Sequence, residues 1–498
     1  FADFARTVNA GVALYEAKPL TDAALERAIL DIETPEEPIA KPAPPTARAQ
    51  EADVAPAIDL SDANRYLSKN VRHDEPLHGC AFNGACGVAT QITDAIVLTH
   101  SPANCTCLTS QVVTSPGRRS LYERGVLMPQ CIAPHFASTR MTETDMIFGG
   151  TGKLLDAVSE LKERRPRAII VVSACPSGII GDDIEKAKAL AEPDLPVVTL
   201  KADGNMSGDF LQGMLMSYTS LARQIIVRDV PVRPRTVNIV YEKIVIKDTD
   251  RNFDFVSAVL SRFDVQVNCR FLCNTTFDRL ADFCSAELNL LAYRDYTGKI
   301  LEEFLSREFG THFYEHDFPV GIDDTEEWIR GLARIFDRQA EGEEIIAEQR
   351  RRYDAEIEEL KPTLVGKRLL IVTFNHEIDW ILRAALDVGI EIVKICVLDY
   401  SQDEGFRTQL DLGCPIEEDY DRDSRAGDIQ RYRPDIMLSN YTSSVMNDVK
   451  VSDTIPMCPD IGFDAGIRLL RRWARLIELD LKEGWRADEQ LFKEYFSR

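Results

Sequence analysis

The sequence has 498 residues, of which 45% are hydrophobic and 28% charged, so it can form two to four α/β domains with buried cores. Its formal net charge of −23 disfavours nucleic acid and anionic membranes as partners. No apolar run is long enough to cross a bilayer, and the first residues lack the basic and apolar segments of a secretion signal. We therefore expect a cytoplasmic protein.

Residues 1–60 differ in composition from the rest of the chain. A short helix is predicted over residues 21–31, and the stretch that follows is rich in proline, alanine and acidic residues. Such a stretch buries too little apolar surface to fold alone. We predict an extended N-terminal arm or linker over residues 1–60, which packs on a partner.

From about residue 80, apolar β-branched runs alternate with amphipathic stretches, a pattern typical of parallel α/β domains. The predicted strands are Asp94–Leu98, Ala168–Ser173, Leu195–Leu200, the run Thr236–Ile246 that opens a second unit, Leu369–Phe374 and Glu391–Leu398. The predicted helices are Lys153–Arg164, Ile300–Phe309, Glu341–Glu359 and Trp380–Val388. The predicted fold class is α/β, with Rossmann-like domains over residues 61–235, 236–364 and 365–498, the last including C-terminal helices.

The chain contains twelve cysteines, a high number for a compartment that disfavours disulfides. Many can be small buried residues, as expected for Cys396 and Cys414. Cys105 and Cys175 instead follow predicted strands, and Cys80 lies in a predicted Gly-rich loop before a strand. Because the carboxyl ends of parallel strands form the binding edge of such a sheet, these three thiols are predicted to converge on one soft-metal site.

Spacing alone leaves three interpretations of this site open: an iron–sulfur cluster, buried structural thiols, or zinc. Zinc sites usually contain Cys-x-x-Cys pairs, whereas Cys105 and Cys107 form Cys-x-Cys. Gly79 and Gly84 near Cys80 are expected to bring backbone N–H groups close to its sulfur. The stretch 149–153 lacks the spacing of a phosphate-binding P-loop and is predicted to be a turn that leads into a helix.

The three cysteine segments, in their order and spacing, resemble the catalytic-component subunits of the nitrogenase superfamily. The similarity is closest over residues 77–185, where GCAFNGACG, LTHSPANC and SACPSGIIGDDI contain Cys80, Cys105 and Cys175. It is weaker beyond, although LNLLAYRDYTGKILEEFLSREFG and GKRLLIV still fit. The resemblance implies that these three cysteines bind an iron–sulfur cluster.

The resemblance also implies an assembly. It implies a homologous sister subunit in an α2β2 heterotetramer, an ATP-dependent iron protein as electron donor, and a cluster shared at the subunit interface. That cluster would be of the eight-iron P-cluster type (8Fe–7S) or the four-iron type (4Fe–4S). Three thiolates are fewer than such clusters usually take, so further ligands are expected from the partner, with Cys86, Cys107 and Cys131 as local alternatives.

The chain departs from nitrogenase catalytic subunits at the second metallocluster, which those proteins hold with one Cys in the second domain and one His in the third. The corresponding segment Leu290–Arg294 has no Cys, and the segment around Cys458 has no His. Cys284 and Cys458 are candidate ligands of a second complex iron–sulfur metallocluster, and His376 is the candidate catalytic residue. Each also fits a simpler interpretation, as a buried thiol or as a histidine that caps its own loop.

The sequence thus predicts a subunit of a nitrogenase-like oxidoreductase, other than classical nitrogenase, that reduces a small-molecule substrate. The acidic N-terminal arm and the cysteine triad favour the reductases that cleave the C–S bond of methylthio-alkanes. Two alternatives are a cofactor-assembly scaffold of the nitrogenase family and a tetrapyrrole reductase of the protochlorophyllide type, which would use only a four-iron cluster.

Overall fold

The computed structural model describes residues 79–123, 135–244, 249–375, 377–398, 406–440, 449–456 and 459–479. All of them belong to one compact unit, Ile58–Arg498. The predicted N-terminal arm, Cys131, His376 and Cys458 lie outside the described residues. Among the residues described, no helix combines the length and apolar character needed to cross a membrane.

The first sheet has four parallel strands in the order β2–β1–β3–β4. These are β1 (Ala95–His100), β2 (Phe136–Ser138), β3 (Ala168–Ser173) and β4 (Val197–Leu200). Every residue of β1 and β3 is buried, as expected for apolar strands that are covered on both faces. The helices of this part are α1 (Ala81–Ala89), α2 (Ala103–Glu123), α3 (Glu143–Phe148), α4 (Thr151–Lys162), α5 (Cys175–Ile179) and α6 (Phe210–Ile225).

The second sheet has three parallel strands in the order β6–β5–β7. These are β5 (Arg233–Val240), β6 (Gln266–Phe271) and β7 (Ala286–Leu291). The helices that accompany them are α7 (Thr249–Arg262), α8 (Phe277–Ala281), α9 (Tyr296–Phe309) and α10 (Ile322–Ile335).

The third sheet has five parallel strands in the order β10–β9–β8–β11–β12. These are β8 (Arg368–Thr373), β9 (Glu391–Val397), β10 (Ile416–Glu417), β11 (Ile436–Ser439) and β12 (Val451–Thr454). Its helices are α11 (Gln339–Leu364), α12 (Asp379–Asp387), α13 (Arg425–Tyr432) and α14 (Ala465–Glu478). Three separate parallel sheets confirm the predicted α/β fold class.

The division of the chain into three domains stays a proposal. The predicted boundary after residue 235 falls inside β5, because that strand begins at Arg233. We therefore propose to place this boundary before Arg233. The second boundary coincides with the end of α11 at Leu364.

The segment after Cys80 differs from its prediction as a Gly-rich loop, because it forms helix α1. Gly84 lies within this helix, and a Cβ atom there would lie 2.0 Å from the carbonyl oxygen of Phe210 on α6. Gly213 on α6 is its counterpart, since a Cβ there would lie 2.0 Å from the carbonyl oxygen of Ala81. Glycine has a low helix propensity, but here it permits direct backbone contact between two helices, so packing outweighs propensity.

Candidate metal-cluster site

Cys80 is fixed at the point where the chain enters helix α1. It has extended backbone angles, φ −88° and ψ 173°, and forms an antiparallel bridge with Asp209. The next amide, of Ala81, donates a hydrogen bond of 3.0 Å to the carbonyl oxygen of Gly208. Gly79, with φ +110°, adopts a conformation that favours glycine and lets the chain turn into the helix. The predicted role of Gly79 in bringing backbone N–H groups to the sulfur stays a prediction, and Gly84 packs against α6.

Cys105 lies in the first turn of α2, a helix that the sequence analysis did not predict. The hydroxyl oxygen of Thr109 lies 2.8 Å from the carbonyl oxygen of Cys105 and 2.6 Å from Oδ1 of Asn83 on α1. Thr106, the neighbour of Cys105, has its hydroxyl oxygen 2.7 Å from that of Thr99 in β1 and 2.9 Å from that of Ser138 in β2. These contacts fix the Cys105 turn against α1 and against the ends of two strands.

Cys175 begins helix α5, directly after β3. Gly204, in the segment that follows β4, lies against its sulfur, because a Cβ at residue 204 would lie 2.0 Å from Cys175 Sγ. Gly204 also has φ +55°, which is unfavourable for other residues. Gly204 is not among the predicted site residues; its position after a strand, in the pair Asp203–Gly204, is the signal that could have pointed to it.

The electrostatic coupling of the thiols places these cysteines near one another. Burial raises the pKa of the Cys105 thiol, and the neighbouring Cys175 and Cys80 thiols raise it further. Burial also raises the pKa of Cys86 well above its usual value, and Cys80 and Cys105 add to that effect. Cys80, Cys105 and Cys175 are partly accessible, whereas Cys86 is fully buried and Cys107 points to solvent. The structure therefore brings the three predicted thiols together at the carboxyl edge of the first sheet.

The donors that converge at this edge are thiols, which are soft ligands. Among the described residues, no three His, Cys, Asp or Glu side chains are close enough together to hold one ion. A structural zinc site needs its ligands around one centre. In a multi-iron cluster the protein thiolates bind different irons, so their sulfurs are farther apart. Thiolates are the usual protein ligands of iron–sulfur clusters, so the donor set fits such a cluster.

Large apolar side chains are exposed around this edge. Five of them lie on segments that follow the strands of the first sheet, and each is between 61% and 83% exposed. We call this set the apolar rim: Leu108 on α2, Ile147 and Phe148 on α3, Ile179 on α5, and Met206 after β4. Exposed apolar groups that cluster in this way are typical of surfaces that a partner covers.

The candidates for a second cluster are less well placed. Cys284 lies in a short turn, Phe283–Ser285, immediately before β7, so it is at the amino edge of the second sheet. Burial raises the pKa of its thiol. Its role as a metal ligand stays a prediction, which this position does not favour. His376 and Cys458 lie outside the described residues, and their roles also stay predictions.

The carboxyl edge of the second sheet contains charged side chains that the sequence analysis missed. Arg270, at the end of β6, makes two hydrogen bonds of 2.8 Å with the carboxylate of Glu242, which follows β5. Burial raises the pKa of Glu242, while the guanidinium of Arg270 opposes that effect. Ala292, in the segment where the resemblance places the cluster-binding Cys of nitrogenase, is buried and offers no side-chain donor. Cys273 is at this edge, but it is buried and contacts Arg270.

Parallel α/β sheets with convergent thiols at one carboxyl edge define a class of protein suited to bind a soft-metal cluster. A comparison with protein families identifies the group within that class. Residues 80–478 match the family described as Nitrogenase component 1 type Oxidoreductase. The chain therefore belongs to this family.

Individual relatives agree with that assignment. The chain is 26% identical over 377 residues to the nitrogenase molybdenum-iron protein alpha chain of Methanothermobacter marburgensis, a match that covers 72% of this chain and 78% of the relative. It is 27% identical over 358 residues to the nitrogenase iron-molybdenum cofactor biosynthesis protein NifE of Nostoc sp., covering 70% of this chain and 71% of the relative. The solved structure "Nitrogenase Cp1 at pH 5" has a similar fold, with a TM-score of 0.58, 21% identity, and coverage of 82% of this chain and 89% of that chain.

Proposed function

We propose that this chain is a subunit of a nitrogenase-like reductase and holds one side of an interface iron–sulfur cluster through Cys80, Cys105 and Cys175. The observation that carries the proposal is the convergence of these three partly accessible thiols at one edge of the first sheet, where Cys175 and Cys80 raise the pKa of Cys105. A deprotonated thiolate is the form that binds iron, and a bound cluster would stabilise that form strongly.

The incomplete ligand set points to a partner. Three thiolates are fewer than a four-iron or eight-iron cluster usually takes from protein. The apolar rim around the cysteines supports a subunit that covers this edge and supplies the remaining ligands. We propose a homologous sister subunit in an α2β2 assembly, with an ATP-dependent iron protein as electron donor.

When bound, the cluster would supply one-electron transfer between the donor and the site of reduction. The chain's own residues hold and orient the thiolates. Gly204 leaves room for the Cys175 sulfur, and α1 and α6 fix the position of Cys80 through their backbone contact. Both features reduce the reorganisation that accompanies electron transfer, since the ligands cannot move far.

As substrate we propose a small methylthio-alkane. Its reduction uses two electrons and two protons, which break one carbon–sulfur bond and yield a thiol and a hydrocarbon. The support is the resemblance of the cysteine segments together with the chain's departure from nitrogenase at Ala292, where a thiolate would anchor a second metallocluster. Incubation of the complete complex with reductant, ATP and a methyl thioether should release thiol and hydrocarbon in equal amounts.

A second candidate function is cofactor assembly. The observation that favours it is the match to the NifE relative, whose name describes cofactor biosynthesis. This chain is 27% identical to that relative and 26% identical to the alpha chain. A scaffold would bind iron but would not reduce substrate in repeated cycles. A tetrapyrrole reductase would contain about four irons per heterodimer and only a four-iron cluster.

The direct test replaces Cys80, Cys105 and Cys175 singly by Ser in the complex purified with its partner. Cys414→Ser is the matched control, because Cys414 has similar partial exposure but lies just before β10 of the third sheet. We expect each of the three variants, and not the control, to lose iron and visible absorbance. Retention of wild-type iron by all three variants would rule the proposal out. Catalytic turnover then separates a reductase from a scaffold.

A further inference from the structure

A buried His–Asp pair lies among the segments that carry the cysteines. His100 is the last residue of β1, and its Nε2 lies 2.9 Å from Oδ2 of Asp182 in the loop after α5. The two side chains are only 0% and 5% exposed. The other ring nitrogen, Nδ1, lies 3.1 Å from the hydroxyl oxygen of Thr139 after β2. Both nitrogens therefore have a partner, and the ring cannot rotate without breaking a buried hydrogen bond.

The surroundings select one form of the ring. Burial lowers the pKa of His100, although Asp182 opposes this, so the imidazole is neutral near pH 7. A carboxylate only accepts hydrogen bonds, so Nε2 carries the proton and donates a hydrogen bond to Oδ2 of Asp182. Nδ1 then accepts from the hydroxyl of Thr139. A single tautomer thus links the ends of β1 and β2 to the loop after α5.

The backbone of His100 reaches the Cys175 turn from the other side. Its carbonyl oxygen accepts a hydrogen bond of 3.3 Å from the amide of Ala174 and lies 3.1 Å from the hydroxyl oxygen of Ser177. These two residues flank Cys175 at the start of α5. Along the chain, His100 precedes the helix that carries Cys105. One residue therefore connects the two cysteine-bearing turns.

Asp182 extends the connection to the apolar rim. Its carboxylate accepts hydrogen bonds from the amide of Gly150, at 2.9 Å, and from the hydroxyl of Thr151, at 3.1 Å. Gly150 immediately follows the Gly149 that ends α3, the helix with the exposed Ile147 and Phe148. The glycine is required for space, because a Cβ at residue 150 would lie 2.8 Å from Asp182 Oδ2 and 3.0 Å from His100 Cε1.

We infer that His100 and Asp182 are positioning residues for the cluster: they hold the Cys105 and Cys175 turns in fixed register and tie them to α3. This inference rests on the proposed function, and neither residue is proposed as a ligand. Groups that orient metal ligands in this way strongly influence how firmly a metal is held and how it behaves electronically. A pair that served folding alone would affect stability but not these properties.

The first experiment compares two buried carboxylates in the purified complex. Asp182→Asn neutralises the carboxylate that pairs with His100, and Asp453→Asn neutralises the buried carboxylate on the third sheet that accepts a hydrogen bond of 3.0 Å from Trp473 Nε1. Both variants should lower the melting temperature. Only Asp182→Asn should release iron to a ferrous chelator faster, by about 10- to 100-fold. It should also change the electron paramagnetic resonance line shape and the midpoint potential of the cluster.

Two further pairs keep the test independent of misfolding. His100→Leu removes both ring contacts, whereas His100→Gln keeps a donor that can reach Asp182, so Gln should restore most of the iron retention. Gly150→Ala keeps every hydrogen-bonding group but pushes on the pair, whereas Gly152→Ala is its control, because a Cβ there meets nothing within 4 Å. We expect Gly150→Ala, and not its control, to change the cluster signal.

The outcomes separate this inference from the proposed function. If the wild-type complex holds iron and the Asp182, His100 and Gly150 variants match their controls in iron release and spectra, the positioning role is wrong and the proposed function stands. If the wild-type complex contains no iron at all, the proposed function fails and the positioning role fails with it.

Discussion

The reactive side chains at the carboxyl edges of the first and second sheets differ in their exposure and in their pairing. At the first edge, Cys80, Cys105 and Cys175 remain partly accessible and apolar side chains surround them. At the second edge, Arg270 and Glu242 are buried and neutralise each other. The same type of parallel sheet therefore leaves thiols accessible at one edge, where we propose a cluster and a partner, while at the other edge the chain pairs its own charges.

The largest effect is expected at the second edge. Arg270→Met would leave the carboxylate of Glu242 buried without its partner, and removing one member of such a pair costs about 3–5 kcal/mol of stability. Denaturant unfolding of the variant measures this loss. Adding Glu242→Leu to Arg270→Met should recover a large part of it, because the unpaired charge is then gone. If the double variant is no more stable than Arg270→Met alone, the unpaired charge of Glu242 is not the cause of the stability loss.

At the first edge we expect a substitution that adds only one methyl group to lower the iron content of the complex. Gly204→Ala places a methyl group where the Cys175 sulfur lies and forces a backbone conformation that alanine disfavours. Iron content should fall several-fold, with a stability loss of about 1–3 kcal/mol from overpacking. Gly181→Ala is the control, because it also has positive φ, +72°, but a Cβ there meets no atom within 4 Å. Equal iron content in the two variants would contradict the arrangement described here.

The apolar rim should affect assembly more than the fold. Phe148 is 83% exposed, so Phe148→Ser removes little buried surface in the isolated chain. If a partner covers the rim, the variant should weaken the complex by about 1–2 kcal/mol. Size-exclusion or sedimentation measurements would then show that the variant complex dissociates at a higher protein concentration than the wild-type complex. Val365→Ser, at another exposed apolar residue, is the control. Unchanged assembly of the Phe148 variant would place the partner elsewhere.

The smallest effect concerns the cap of α3. A hydrogen bond from Lys153, followed by those from Thr142, lowers the pKa of Asp145 from 3.8 to about 2. Because the folded pKa is the lower one, the stabilisation is complete above about pH 4 and disappears as the pH falls through about 2. Lys153→Gln should move the titration of Asp145 upward, as followed by NMR. A titration that does not move would mean that Lys153 is not the main cause.

Periodicity predicted the longest buried strands, because runs such as Ala168–Ser173 are continuous and apolar with clear limits, but it missed short or more polar strands such as β2 and β6. Convergence of the three cysteines followed from the position of strand ends. Helix α1 was missed because its two glycines lower helix propensity, and only the facing helix α6 explains the one at Gly84. The Arg270–Glu242 and His100–Asp182 pairs were also missed, since residues 28 and 82 positions apart have no local signal that joins them.

The glycine-to-backbone crossing of α1 and α6 has a consequence for how the site could change over time. Where helices meet through side chains, a substitution on one can be offset by a smaller or larger residue on the other. At Gly84 and Gly213 the facing atoms are main-chain carbonyls, which no substitution can alter. Any side chain at Gly84 or Gly213 would therefore push the two helices apart and move the entry of the chain at Cys80.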